Sequence, residues 1–227
     1  MFANLIIQLN KQPKFKQMKT LTLIAALLLS ATFANAQSDI FTTEMQKGIN
    51  LLDNMKTETT HQLAVSHFEK IAANSVKWEA QYYAAYSNLM LGLNGKKDPE
   101  SKDELFNKAF KYINKADSLN ANNSEISTLK GYILFMQMSI YPQQRAMNLI
   151  PQSTALFDKA IALDAENPRP YLLKGISLFY VPGMFGGDKD KAKELLTTAK
   201  SKFEKYTTKS LQLNWGKTKA DELLKQF

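Results

Sequence analysis

The sequence predicts an all-α protein: a right-handed α-α superhelix of about four helix hairpins, closed by a C-terminal capping helix. Three observations carry that prediction. Residues 119–135, LNANNSEISTLKGYILF, and 163–179, LDAENPRPYLLKGISLF, are two copies of one stretch, 44 residues apart and identical at eight of 17 positions. Repetition at a fixed spacing means stacked copies of one small unit. Apolar residues recur at helical spacing through most of the chain, and no stretch reads as a strand. A small–large–small triplet at offsets 0, 4 and 7 returns in the second helix of each later hairpin.

The first 36 residues stand apart. Met18-Lys19 precedes an apolar run over 21–29, broken only by Thr22, and Ala34-Asn35-Ala36 comes before Gln37. A basic start, a short apolar core and an A-x-A exit make a secretory signal peptide, here with cleavage between Ala36 and Gln37. The run falls short of the ~20 apolar residues of a membrane span. Met18 is a candidate start, and a long basic leader from Met1 serves equally. The whole chain has 29 Lys+Arg and 21 Asp+Glu, and four of the lysines lie in the leader. Residues 37–227 therefore carry 25 basic against 21 acidic side chains, a net +4 with no basic stripe to track a phosphate backbone. Nucleic acid is excluded as a partner on that ground. The chain has no Cys, so a lipoprotein anchor, a disulfide framework and thiolate chemistry are excluded too. The expectation is an exported protein, periplasmic or secreted, with no membrane span after cleavage. Residues 1–36 form the extension and signal peptide, and 37–227 form one helical-repeat domain.

The elements follow in order. Phe41, Met45, Ile49, Leu52 and Met55 predict a first helix, and Leu63, Ala64, Phe68 and Ile71 its partner, giving a hairpin over about 41–73. Trp78 to Leu91 is the next helix. A polar loop, 92–103, leads to Ser101 and Glu104 in capping-box spacing, and the hairpin closes near residue 120. The third hairpin covers 124–164. Tyr141-Pro142 interrupts it, 143–150 reads as a helical turn stopped by Pro151, and the second helix starts at Ser153. The fourth covers 168–206, with Val181-Pro182-Gly183 between its helices, and a cap helix covers 214–227.

The triplets are Ala109, Ile113, Ala116; Ser153, Phe157, Ala160; and Ala192, Leu196, Ala199, with a weaker Ala64, Phe68, Ile71 before them. Offsets of 4 and 7 stay on one helix face. Two small residues let a neighbouring helix come close while the large one fills the gap. The first helices supply the facing small residue at Gly48, Ala85, Gly131 and Gly175. Mid-helix Gly costs about 1 kcal/mol against Ala, so its recurrence at the repeat spacing points to close packing.

These residues, with the inter-repeat segment Leu163-Asp-Ala-Glu-Asn-Pro168 and the early-helix aromatics Trp78 and Tyr171, resemble the tetratricopeptide repeat family over about residues 41–206. The unit departs from the family's 34 residues because residues are inserted between the two helices of a hairpin. With Phe185-Gly-Gly-Asp188 and Asn214-Trp-Gly-Lys217, the chain is similar to small exported tetratricopeptide proteins of Bacteroidetes-type bacteria. The resemblance implies a concave groove lined by the first helices that holds extended peptides or helices. Its groove positions fall on Glu79, Tyr82 and Tyr86; on Glu125, Thr128 and Tyr132; and on Arg169, Leu172 and Ile176. Tyrosines among charges suit recognition, because each offers a large apolar face with one polar tip.

Catalytic chemistry finds no footing. His61 and His67 are six apart, about 240° round a helix, so they share no metal and read as solvent-facing or capping. The segment 183–188 follows a helix and lacks Gly-Lys-Ser/Thr, so it is a turn and not a phosphate loop. No Ser, His and acid constellation has recognisable context. No enzyme activity, cofactor or metal is expected. The expected function is protein–protein interaction as an adaptor of the cell envelope, with a protein or peptide partner. The alternative is a glycan or small molecule held by the Tyr-rich groove. The inserts 92–103, 138–151 and 182–189 fall at the same point of their hairpins and offer a second binding edge.

Overall fold

The third and fourth hairpins start from capping asparagines that the sequence supplies. The computed structural model describes residues 39–54, 56–94, 97–207, 211 and 215–227, so the signal peptide and its cleavage point Ala36/Gln37 lie outside the described residues. Residues 39–44 are helical and belong to the first of two compact units. All that follows concerns the second, Met45–Phe227.

Its elements are α1 (45–53), α2 (Glu58–Ala73), α3 (Trp78–Asn94), α4 (Pro99–Leu119), α5 (Ser124–Ile140), α6 (Pro142–Leu163), α7 (Pro168–Tyr180), a 3-10 turn (Gly183–Phe185), α8 (Lys189–Lys205) and α9 (Lys217–Leu224). The described residues form an all-α array of consecutive helix pairs, with α3, α5 and α7 also touching each other as one layer. No helix among them is long and apolar enough to cross a membrane.

The repeated stretch maps onto equivalent structure. Leu119 and Leu163 end α4 and α6, and Asn123 and Asn167 are the N-caps of α5 and α7. Asn123 accepts from the Ile126 N–H at 3.2 Å and Asn167 from the Arg169 N–H at 3.0 Å. Each satisfies an amide that the first helical turn leaves open. Asp98 caps α4 in the same way, accepting from the Ser101 N–H at 2.8 Å, with Pro99 at the first helical position. The helix thus starts ahead of the expected Ser101/Glu104 box. Asp98 followed by Pro is the stronger start, because Pro gives up only an N–H that would be orphaned anyway.

A second difference lies in α6. It runs unbroken from Pro142 to Leu163 with Pro151 inside it, where the sequence suggested two pieces. Ala146, Ile150, Ser153, Phe157 and Ala160 all bury on one face. Packing along that stripe outweighs the hydrogen bond that Pro151 cannot make.

The triplets make the contacts between paired helices. Ala109, Ile113, Ala116, Ser153, Phe157, Ala160, Ala192, Leu196 and Ala199 are all fully buried. A Cβ on Gly131 would come within 2.6 Å of the Phe157 ring, and one on Gly175 within 2.9 Å of Leu196. The large members of the last two triplets, Phe157 and Leu196, therefore rest on the glycines of the facing helices. Gly92 receives Phe106 in the same manner, at 2.5 Å. At the C-terminal end, Leu172, Leu196, Ala199, Phe203, Ala220 and Leu223 form one core cluster, so α9 covers the last hairpin. Burying Leu223 and its neighbours contributes roughly 1.5–3 kcal/mol per large side chain.

The inserts are tied together. Phe135, Met138, Ala146, Ile150 and Val181 form a small core against which Phe185 packs. Tyr141 Oη donates to Glu100 at 2.8 Å, and Arg145 makes a two-pronged contact with Asp103 at 2.5 and 2.9 Å.

Candidate functional site

The first helices present their i, i+3, i+4 and i+7 positions on one face. Those positions carry Tyr82 and Tyr86 on α3, Glu125, Thr128 and Tyr132 on α5, and Arg169, Leu172 and Ile176 on α7. The structure brings most of them together around one buried charge. Arg169 is 1% exposed and donates from Nη1 to Glu125 Oε1 at 2.9 Å. Glu125 also accepts from Tyr82 Oη at 3.2 Å and from Asn167 Nδ2 at 2.7 Å. Burial works against the guanidinium's charge, and Glu125, Tyr82 and Tyr206 more than restore it, so its pKa stands above the ordinary value. Burial, reinforced by Glu125, pushes the Tyr82 hydroxyl well up.

The other side of Arg169 faces aromatic rings of the C-terminal segment. Its guanidinium lies 5.0 Å from the Tyr206 ring centre and 5.1 Å from that of Trp215. The Trp215 indole in turn meets Tyr86 at 5.7 Å and stacks on Tyr132 at 6.2 Å with 20° between planes. Trp215 therefore occupies a slot lined by two tyrosine rings and a cation, an arrangement that favours flat aromatic groups. Burial raises the Tyr86 hydroxyl strongly and pushes Tyr132 up to about 12. Both are neutral phenols at ordinary pH.

Gly216 makes the insertion of Trp215 possible. Its φ is 103°, and a Cβ there would lie 2.8 Å from both Leu172 and Phe203. The chain turns at Gly216 into α9, so Trp215 lies before the helix and not within it, as the expected 214–227 boundary had it. Further along the segment, the Leu211 carbonyl accepts from Tyr83 Oη.

Of the nine groove candidates, Tyr82, Tyr86, Thr128, Arg169 and Leu172 are buried, and Glu79, Glu125, Tyr132 and Ile176 are half-buried. Thr128 spends its hydroxyl on the Ser124 carbonyl at 2.7 Å. Leu172 belongs to the core under α9. Outside the slot, a cleft of about 530 Å³ opens between the starts of α3 and α5, lined by Trp78, Glu79, Glu125, Asp164, Tyr206 and Leu211. Its carboxylates make the rim acidic. The histidines lie elsewhere. His61 Nδ1 is 2.7 Å from the Thr57 carbonyl at the start of α2, and His67 meets Phe68 edge-on at 5.8 Å. No group of three or more metal-ligating side chains occurs among the described residues.

The chain is similar to the HusA haemophore from Porphyromonas gingivalis. The two share 29% identity with a TM-score of 0.71, over 80% of this chain and 90% of that one. No family model matches the chain, and no curated protein does.

Sequence reasoning named the first-helix residues of this cluster and did not name Asn167, Tyr206 and Trp215 as their neighbours. The one signal available was Trp215-Gly216, a large aromatic followed by a residue free to turn sharply.

Proposed function

We propose that this chain is an exported, non-catalytic binding protein whose ligand is haem or a closely related tetrapyrrole, taken up at the α3–α5–α7 layer. The likeness to a haemophore across nearly the full length of both chains carries this reading. The site supports it with flat aromatic walls at Tyr86 and Tyr132 and the guanidinium face of Arg169. Both phenols are held neutral by burial. The site offers ring contact and a guanidinium face, so iron-free protoporphyrin IX should bind comparably.

The test is a titration of residues 37–227 with haemin and, separately, with protoporphyrin IX. Saturable one-to-one changes in the visible band are expected for both. No saturable change with either ligand, in this chain and in its Trp215→Ala variant, would overturn the reading.

A protein or peptide partner is the second reading, at the edge formed by the inserts. Met147 and Met184 stand there 77% and 84% exposed. Capture from an envelope extract that Met147→Glu and Met184→Glu abolish, with tetrapyrrole binding absent, would favour it.

A further inference from the structure

We propose that Trp215 is an internal occupant of the ligand slot, and that a bound tetrapyrrole takes its place against the Tyr86/Tyr132 rings and Arg169. This rests on the ligand reading above and adds to it a competition built into the chain. Four observations carry it. The indole is a flat aromatic system held by the contacts a porphyrin ring would use: tyrosine faces at 5.7 and 6.2 Å and a guanidinium at 5.1 Å. Its Nε1–H is buried with no hydrogen-bond partner among the described residues, a cost an indole in water does not carry. The backbone that delivers it is left-handed at two points, Leu211 with φ 60° and Gly216 with φ 103°. Leucine rarely adopts that conformation, so Leu211 itself is strained. Finally, Arg169 and Glu125 form a charged floor through a mutual bond that does not involve Trp215.

The slot thus has two occupants of similar chemistry, one tethered and one free. A tethered occupant lowers the apparent affinity by the fraction of time it fills the site. Removing it should tighten binding about tenfold or more if the slot is filled nine-tenths of the time or longer.

The experiment uses residues 37–227 with protoporphyrin IX as the probe. The chain has two tryptophans, Trp78 and Trp215. Labelled with 5-fluorotryptophan, it gives two fluorine resonances, assigned with Trp215→Phe. The solvent isotope shift of the Trp215 resonance reports its exposure. At saturation that resonance should acquire the shift of an exposed indole, and Trp215→Ala should bind at least tenfold more tightly than the parent. Binding by Trp215→Ala with none by the parent supports the proposal equally. Saturable binding with Trp215 still protected overturns it and leaves the ligand reading standing. No binding by either chain overturns both. If Trp215→Ala loses its helical circular dichroism, Trp215→Phe replaces it, and the parent's fluorine resonance still decides.

Discussion

Glu125 and Arg169 hold the same position in consecutive repeats, 44 residues apart, and bond to each other at 2.9 Å across the α5–α7 contact. One repeat thus supplies the anion and the next the cation of a pair buried at the centre of the site. Removing one partner of a buried pair leaves its charge uncompensated, which costs about 3–5 kcal/mol. Glu125→Gln should therefore lower the urea midpoint sharply. The double variant Glu125→Gln/Arg169→Met should recover much of the loss, because a neutral pair of similar volume needs no counter-charge. A midpoint for Glu125→Gln equal to the parent's would show that the pair does not hold the repeats together.

Gly131→Ala tests the close approach of α5 and α6. In an open helix Ala would be favoured by about 1 kcal/mol. Here the new Cβ meets Phe157 at 2.6 Å and the Ser153 carbonyl at 3.1 Å. Overpacking should win and destabilise by about 1–3 kcal/mol in chemical denaturation. Gly175→Ala meets Leu196 at 2.9 Å and the Ala192 carbonyl at 3.3 Å, a looser fit, and should cost less.

The hairpins were legible because their causes are local. Asn123 and Asn167 cap the helices they precede, and the small–large–small triplets lie within single helices. The content of the groove was not legible, because it depends on residues far apart in the chain. Trp215 reaches Tyr86 and Tyr132 across long stretches of sequence, and nothing in helical periodicity says that the residue before a cap helix turns inward. Tyr82, Tyr86 and Tyr132 read as groove residues from the register that the tetratricopeptide resemblance implies. Register gives the face a residue lies on and not what covers that face.

Pro151 was misjudged for a related reason: its local penalty was visible and the stripe that outweighs it was not. That penalty can be removed. Pro151 is exposed, so substitution loses no buried surface. Helix propensity favours Ala over Pro by ~3 kcal/mol in a helix interior, and the freer unfolded chain takes back up to ~1. Pro151→Ala should stabilise by about 1–2 kcal/mol, read as a higher midpoint in thermal and urea unfolding. A lower midpoint would mean that the proline shapes α6 to fit its neighbours.

The Asp103–Arg145 contact gives a pH dependence with a definite sign. The hydrogen bonds from Arg145 hold the Asp103 carboxyl below its usual range, against a smaller opposing effect of burial. Arg145 also donates to the Gln137 carbonyl at 2.9 Å, so the contact joins the start of α4 to the α5–α6 bend. A carboxyl with a depressed folded-state pKa stabilises the fold fully above its unfolded value of about 3.9. That contribution fades as pH falls through the unfolded and then the folded pKa. Asp103→Asn should therefore lower the urea midpoint at pH 7 and make little difference near pH 2. The two curves of midpoint against pH should converge below about pH 4. Parallel curves across that range would show that the loss comes from packing and not from the charge on Asp103.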